Sequence, residues 1–236
     1  MKIFDFMNKG KKRRIKENKV IKTIFNNNLF TEEQKNLISS TVIDYAKSHL
    51  KLVNDTYYKN NELLEDKIKK NILKNLEKII HLKKKRTTFP DELTSIYLET
   101  YYGHKTENRK LFIDAYANQK QVEMQMGDLL ELYIQKECLE HGWCLTGTVI
   151  QDVDFIKKNE SDWESHQIKL SDNTENNASK KVRHGTDIWL WQRRCSKQKN
   201  KYYWDDFKEE NLKEKMSEKK FRIFIKNYFQ DISKVN

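Results

Sequence analysis

Three polar side chains, Asp154, Gln167 and Lys169, occur close together in two short segments. The segments are TVIQDVDFI, from Thr148 to Ile156, and HQIKL, from His166 to Leu170. Both read as β-strands, 148–156 and 166–170. Side chains on a strand alternate between faces. Val149, Gln151, Val153 and Phe155 are therefore expected on one face, with Ile150, Asp152, Asp154 and Ile156 on the other. Gln167 and Lys169 point the same way, and Ile168 points away. If the strands are neighbours in one sheet, an acid, an amide oxygen and an ammonium converge. Such a trio suits phosphodiester hydrolysis, which needs a nucleophilic water, charge relief at the phosphoryl oxygens and help for the leaving oxygen. Mg²⁺ supplies much of this and takes oxygen ligands. Asp154 is the natural first ligand. Lys169 can hold or deprotonate the attacking water, or stabilise developing negative charge. The Gln167 amide oxygen can ligate a hard cation but carries no charge, so a further carboxylate is needed. Glu131 is the candidate, on the preceding helix and one turn beyond Gly127. Its plain alternative is a boundary glutamate beside an apolar stripe. Asp152 is the alternative metal ligand to Asp154.

The segment after Lys169 packs amides, a carboxylate and hydroxyls into DNTENNAS, and KKVRHGTD follows. Asn, Arg, His and Ser read base edges and hold phosphates, and Arg is the usual reader of guanine. The plain alternative is an Asn-rich surface loop. Trp189, Trp191 and Trp204 read as core or dimer-interface aromatics.

Lys plus Arg total 46 against 35 Asp plus Glu, giving a net charge of +11. The excess favours a polyanionic partner, nucleic acid first. It is mostly Lys, as an A+T-rich genome would also give. Three of the arginines, Arg183, Arg193 and Arg194, lie just after the second strand. The three cysteines, Cys138, Cys144 and Cys195, form no Cys-x-x-Cys pair. A disulfide framework or structural zinc is not expected, and a reducing cytoplasm is. The N-terminal stretch lacks the apolar run of a signal peptide, and no window has the roughly 20 apolar residues of a membrane span.

The first 140 residues read as helical. Thr31 and Gln34 fit a capping box. Leu37, Ile38, Val42, Ile43, Ala46 and Leu50 follow at helical spacing. A second helix carries Leu64, Ile68, Ile72, Leu76, Ile79 and Ile80, and a third can start at Pro90. Another runs from about Gln119 to His141, with Val122, Met126, Leu129, Leu130, Tyr133, Ile134 and Cys138 on its apolar side and Gly142 as its stop. Strands follow, with 157–165 as a hairpin or longer loop. The tail 205–229 reads as one or two helices, with Phe221, Phe224, Ile225 and Tyr228 as a stripe. This order fits an α/β core preceded by a helical extension. The expected division is a helical region over 1–110 and a core over 111–236, with a recognition segment at 171–194.

The spacing Asp154-x12-Gln167-x-Lys169 resembles that of the PD-(D/E)xK nucleases. The wider run is more specific: MGDLLELYI (126–134), Gly142-Trp143, GTVIQDVDFIKK (147–158), QIKLSDNTENNAS (167–179) and RHGTDIWLW (183–191). Together these resemble the SinI-type type II restriction endonucleases over about residues 110–230. The resemblance implies a PD-(D/E)xK restriction-endonuclease-like core, a central mixed sheet flanked by helices, after the helical N-terminal extension. It implies Mg²⁺-dependent double-strand cleavage of DNA at a short palindromic or near-palindromic site, GG(A/T)CC in named members, by a homodimer in a prokaryotic cytoplasm. A cognate DNA methyltransferase acting on the same site is the functional partner. Carried over, Glu131, Asp154, Gln167 and Lys169 form the catalytic set, with Asp154, Glu131 and Gln167 as metal ligands. Asn173, Glu175, Asn176, Ser179, Arg183, His184 and Thr186 become DNA contacts. Asn177-Ala178-Ser179-Lys180 departs from the serine-rich run expected after Glu-Asn, which puts identical base specificity in doubt. Two other readings stay open: a non-enzymatic DNA-binding protein, and a structure-specific repair nuclease on the same fold.

Overall fold

The computed structural model describes residues 29–60, 62–77, 92–103, 105–172, 185–212 and 214–233. The chain forms two compact units, 1–78 with 130–236, and 79–129.

In the larger unit, α1 spans Glu32–Ser48. The Thr31 hydroxyl accepts the Gln34 N–H, and the Gln34 side chain accepts the Thr31 N–H at 2.8 Å, completing the capping box. Ile38, Val42, Tyr45 and Ala46 are buried. Leu37 and Leu50, expected on the same stripe, are exposed, and the helix ends before Leu50. A short antiparallel hairpin interrupts the helical region, β1 (Tyr58–Lys59) with β2 (Glu62–Leu63). Next, α2 (Glu65–Leu76) buries Ile68, Ile72 and Leu76. Ile79, Ile80 and Pro90 lie outside the described residues. In the smaller unit, α3 covers Glu92–Tyr102, and α4 begins at Arg109 and runs to Cys138, longer than the expected helix. Val122 on α4 is exposed, against expectation.

From Leu130 onward α4 is largely buried, and Gly142 stops the chain in the left-handed region with φ 83°. A four-stranded sheet follows, in the order β3 (Trp143–Leu145), β4 (Phe155–Lys158), β5 (Trp163–Lys169) and β6 (Trp189–Gln192). The first two pairings are antiparallel, and β5–β6 is parallel. The outer edge of β3 is closed by a side chain. Buried Gln135 on α4 donates to the Trp143 carbonyl and accepts the Leu145 N–H, at 2.8 and 2.6 Å. An edge that would otherwise offer free backbone groups is satisfied internally.

The two faces of the sheet are covered differently. On one face Trp143 stacks on His166 (4.1 Å) and Phe207 (5.1 Å), and Trp191 packs against Trp204 (5.0 Å). Trp191 and Trp204 are core residues, one of the two roles expected of them, while Trp189 is half-buried with its ring edge-on to His166. On the other face α1 lies across the strands: the Tyr45 hydroxyl is 2.7 Å from that of Ser165, and its ring meets Trp163 edge-on. At the C-terminal end α5 (Glu218–Ser233) buries Phe221 against Tyr133 and Trp204. Of the one or two helices expected over 205–229, one forms, as α5, preceded by short 3-10 turns at Trp204–Asp206 and Glu210–Leu212. Cys138, Cys144 and Cys195 are free and buried.

Candidate active site

The first expected strand is not a strand along its length. Residues 148–152 form a loop with a single bridge, Ile150 to Val53, and β4 begins only at Phe155. Val149, Ile150 and Val153 are all buried, regardless of parity. Asp152 takes the left-handed conformation, φ 54°, so it does not share a strand face with Asp154. The apolar residues point inward because the loop is held against other segments. The Asn54 N–H donates to the Val149 carbonyl, and the Gln151 N–H to that of Leu52, at 2.9 and 2.7 Å.

Asp154 stands at the entry to β4. The Thr146 N–H donates to its carbonyl at 2.9 Å, and its own N–H donates to the His166 carbonyl at 2.8 Å. In the sheet register, Phe155 pairs with His166. One step further, Asp154 lies across from Gln167. Its carboxylate replaces a backbone acceptor there: Oδ2 accepts the Ile168 N–H at 2.7 Å. The acid is thereby tied to the residue between Gln167 and Lys169. On β5, Gln167 and Lys169 share a face, with Gln167 buried and Lys169 half-buried. Lys169 pairs with Gln192 on β6, which places that second amide on the same face of the sheet. Only the register reveals Gln192; nothing in its sequence context marks it.

The strand end is anchored beyond Lys169. The Arg193 N–H donates to the Lys169 carbonyl at 2.9 Å. The Arg193 side chain turns away to Glu218 on α5, Nη1 to Oε2 at 2.6 Å, with both side chains mostly buried. Arg222 and the Trp204 indole N–H donate to the same carboxylate. Burial pushes the Glu218 carboxyl up, but these bonds prevail and hold it below the usual carboxylate range. Arg193 therefore belongs to the framework that joins the end of β5 to α5. Further on, Asp172 Oδ1 accepts the Ser196 N–H at 2.8 Å, tying the chain after β5 to the loop after β6. Asn173, Glu175, Asn176, Ser179, Arg183 and His184 lie outside the described residues; Thr186 is exposed.

His166 backs the site from the opposite face. Its ring is fully buried, and neither nitrogen has a hydrogen-bond partner among the described residues. Nε2 lies 3.4 Å from Glu164 Oε2, too poorly aligned for a hydrogen bond. Burial, then the Lys208 charge, pushes its pKa down to about 4, against the pull of Glu164. The imidazole is neutral at pH 7.

Among the described residues, no three of His, Cys, Asp and Glu gather as a metal site. The donors at this end of the sheet are instead one carboxylate, Asp154, and amide oxygens. This hard-oxygen set fits Mg²⁺, but with little charge. Glu131 lies half-buried on the α4 segment that belongs to the same unit.

A mixed four-stranded sheet flanked by helices, with an acid tied between an amide and a lysine at one end, fits a restriction-endonuclease-like α/β fold. The chain belongs to the SinI restriction endonuclease family, whose model matches residues 21–231. It is 37% identical over 149 residues to the type II restriction enzyme Eco47I of Escherichia coli. It is 36% identical over 149 residues to the type II restriction enzyme SinI of Salmonella infantis. Each match covers 62% of this chain and 64% of the relative. The chain thus spans a little under two thirds of the length of these curated relatives. No helix among the described residues is long and apolar enough to cross a membrane.

Proposed function

We propose that this protein is a type II restriction endonuclease that hydrolyses both strands of DNA at a short palindromic or near-palindromic site. One observation carries the reading: the Asp154 carboxylate is bonded to the N–H between Gln167 and Lys169. That bond holds the acid against the strand that carries the amide and the ammonium of the nuclease pattern. Family membership supports it.

Asp154, Gln167 and Glu131 hold Mg²⁺, and the bound ion supplies charge relief at the phosphoryl oxygens. Lys169 orients the attacking water and donates to the oxygen on which charge develops. Glu131 offsets the neutrality of Gln167. Thr186 and the segment with Asn173, Glu175, Asn176, Ser179, Arg183 and His184 contact DNA, with Arg183 the guanine reader. A two-fold homodimer matches a palindromic site, each subunit taking one half. The site resembles GG(A/T)CC, subject to the Asn177–Lys180 departure. A cognate methyltransferase protects that site in a prokaryotic cytoplasm.

The test is digestion of a plasmid of known sequence with Mg²⁺ or with EDTA. Discrete fragments with common end sequences, seen only with Mg²⁺, are expected. A smear or nicks would replace restriction with a structure-specific nuclease, and a gel shift without cleavage would leave a DNA-binding protein.

A further inference from the structure

The loop before Asp154 is gripped by the helical region. Gly147 has φ 60°, and a Cβ there would collide with Asn75 Nδ2 and lie 2.8 Å from Asn71 Oδ1. Only glycine suits both the backbone and the approach. Asn75 Nδ2 in turn donates to Asn71 Oδ1 at 2.9 Å, which orients that amide. Asn71 then engages Thr148 twice: Nδ2 donates to the hydroxyl at 3.0 Å, and Oδ1 accepts the Thr148 N–H at 3.4 Å. The Tyr57 hydroxyl lies 2.9 Å from the same Thr148 hydroxyl. Residues 52–54 bond the next three residues of the loop, with Val53 bridging Ile150.

This grip reaches Asp154 through Thr146. Thr146 is fully buried and immediately precedes Gly147. Its hydroxyl donates to the Val153 carbonyl, and its N–H to that of Asp154. Both limbs of the loop are thus closed on one another directly below the acid. A loop with a left-handed Asp152 would otherwise have many conformations, and the carboxylate would reach Ile168 N–H in few of them.

We infer that Asn71, Asn75, Tyr57 and Thr148 form a clamp that positions Asp154 as a metal ligand. They are positioning residues, acting through the backbone of the loop. The inference rests on the reading of Asp154 given above. Partners that orient a metal ligand, when removed, cost about 10- to 100-fold in metal affinity or activity.

The test uses the full chain. Thr148→Val removes the hydroxyl at an exposed position, keeps the branched shape, and spares the fold. Asn71→Ala removes the centre of the clamp. Each should raise the Mg²⁺ concentration for half-maximal cleavage by about 10- to 100-fold, with cleavage recovering at high Mg²⁺. DNA affinity without metal should stay at the wild-type value. A second readout needs no turnover: calorimetric titration of Mn²⁺ into the DNA complex, in a Lys169→Ala background, should show the same loss of affinity. If Asn71→Ala lowers the melting temperature below the assay range, Thr148→Val decides. A wild-type Mg²⁺ requirement and Mn²⁺ affinity in Thr148→Val would overturn the clamp. Wild-type cleavage in Asp154→Asn would instead overturn the site assignment beneath it.

Discussion

His166 gives the sharpest quantitative expectation. An imidazole with ordinary pKa near 6.5 in the unfolded chain is held near 4 in the folded one, chiefly by burial. The unfolded state therefore binds the proton more tightly between those values. Stability is complete above pH 6.5, falls as pH drops, and the loss is complete below about pH 4. From pH 7 to pH 4.5 the linkage amounts to about 2 kcal/mol. The perturbation is His166→Phe, which keeps an aromatic ring on Trp143 and removes both buried nitrogens. The assay is urea unfolding of both proteins at several pH values over that range. The wild type should lose about 2 kcal/mol more than the variant on acidification, whatever their difference at pH 7. Glu164, Glu209 and Glu218 lie below the usual carboxylate range, so their own linkage acts at lower pH, and the His166 charge is only a lesser influence on Glu164 beside Lys208 and Asn159. Parallel stability curves between pH 7 and 4.5 would refute the neutral, unsolvated His166.

Other outcomes follow from the same geometry. Arg193→Ala leaves the Glu218 carboxylate half-answered and should destabilise by roughly 3 kcal/mol in denaturant titration, with DNA affinity unchanged. A selective loss of DNA binding would return Arg193 to the interface. Gly147→Ala forces a Cβ into the left-handed region and against Asn75, and should lower stability by at least about 1 kcal/mol. A neutral result in thermal melts would mean that the loop yields at no cost. Asp154→Asn should reduce cleavage by about 100-fold or more, beyond the effect of losing an outer partner, and Asp152→Asn should be milder. Kinetics showing the reverse order would exchange the two acids.

Much of the helical architecture was legible because its signals are local. The Thr31–Gln34 box marks the start of α1, and Gly142 marks the end of the turn after α4. Leu37 and Leu50 misled, because periodicity does not say how wide a stripe its partner covers. The strand that carries Gln167 and Lys169 was legible, and it forms as β5 with the two side chains on one face. The segment 148–154 was not. Its apolar content imitates a strand, yet it is held against 52–57 and α2, 77 to 99 positions away, by contacts that no local pattern records. Gln192 was invisible for the same reason, since parallel register is a long-range fact. What carried the functional reading was the order of several motifs together, and the family match from residue 21 extends it into the helical region as well.

The role proposed for Lys169, on the strand that Asp154 bonds, is chemistry on DNA. The direct measurement compares wild type and Lys169→Ala on one duplex carrying the mapped cleavage site, in single turnover with Mg²⁺. Binding of the same duplex is measured with Ca²⁺. The wild type should cleave, Lys169→Ala should give no detectable product, and both should bind equally. Wild-type cleavage rates in Lys169→Ala would contradict that role.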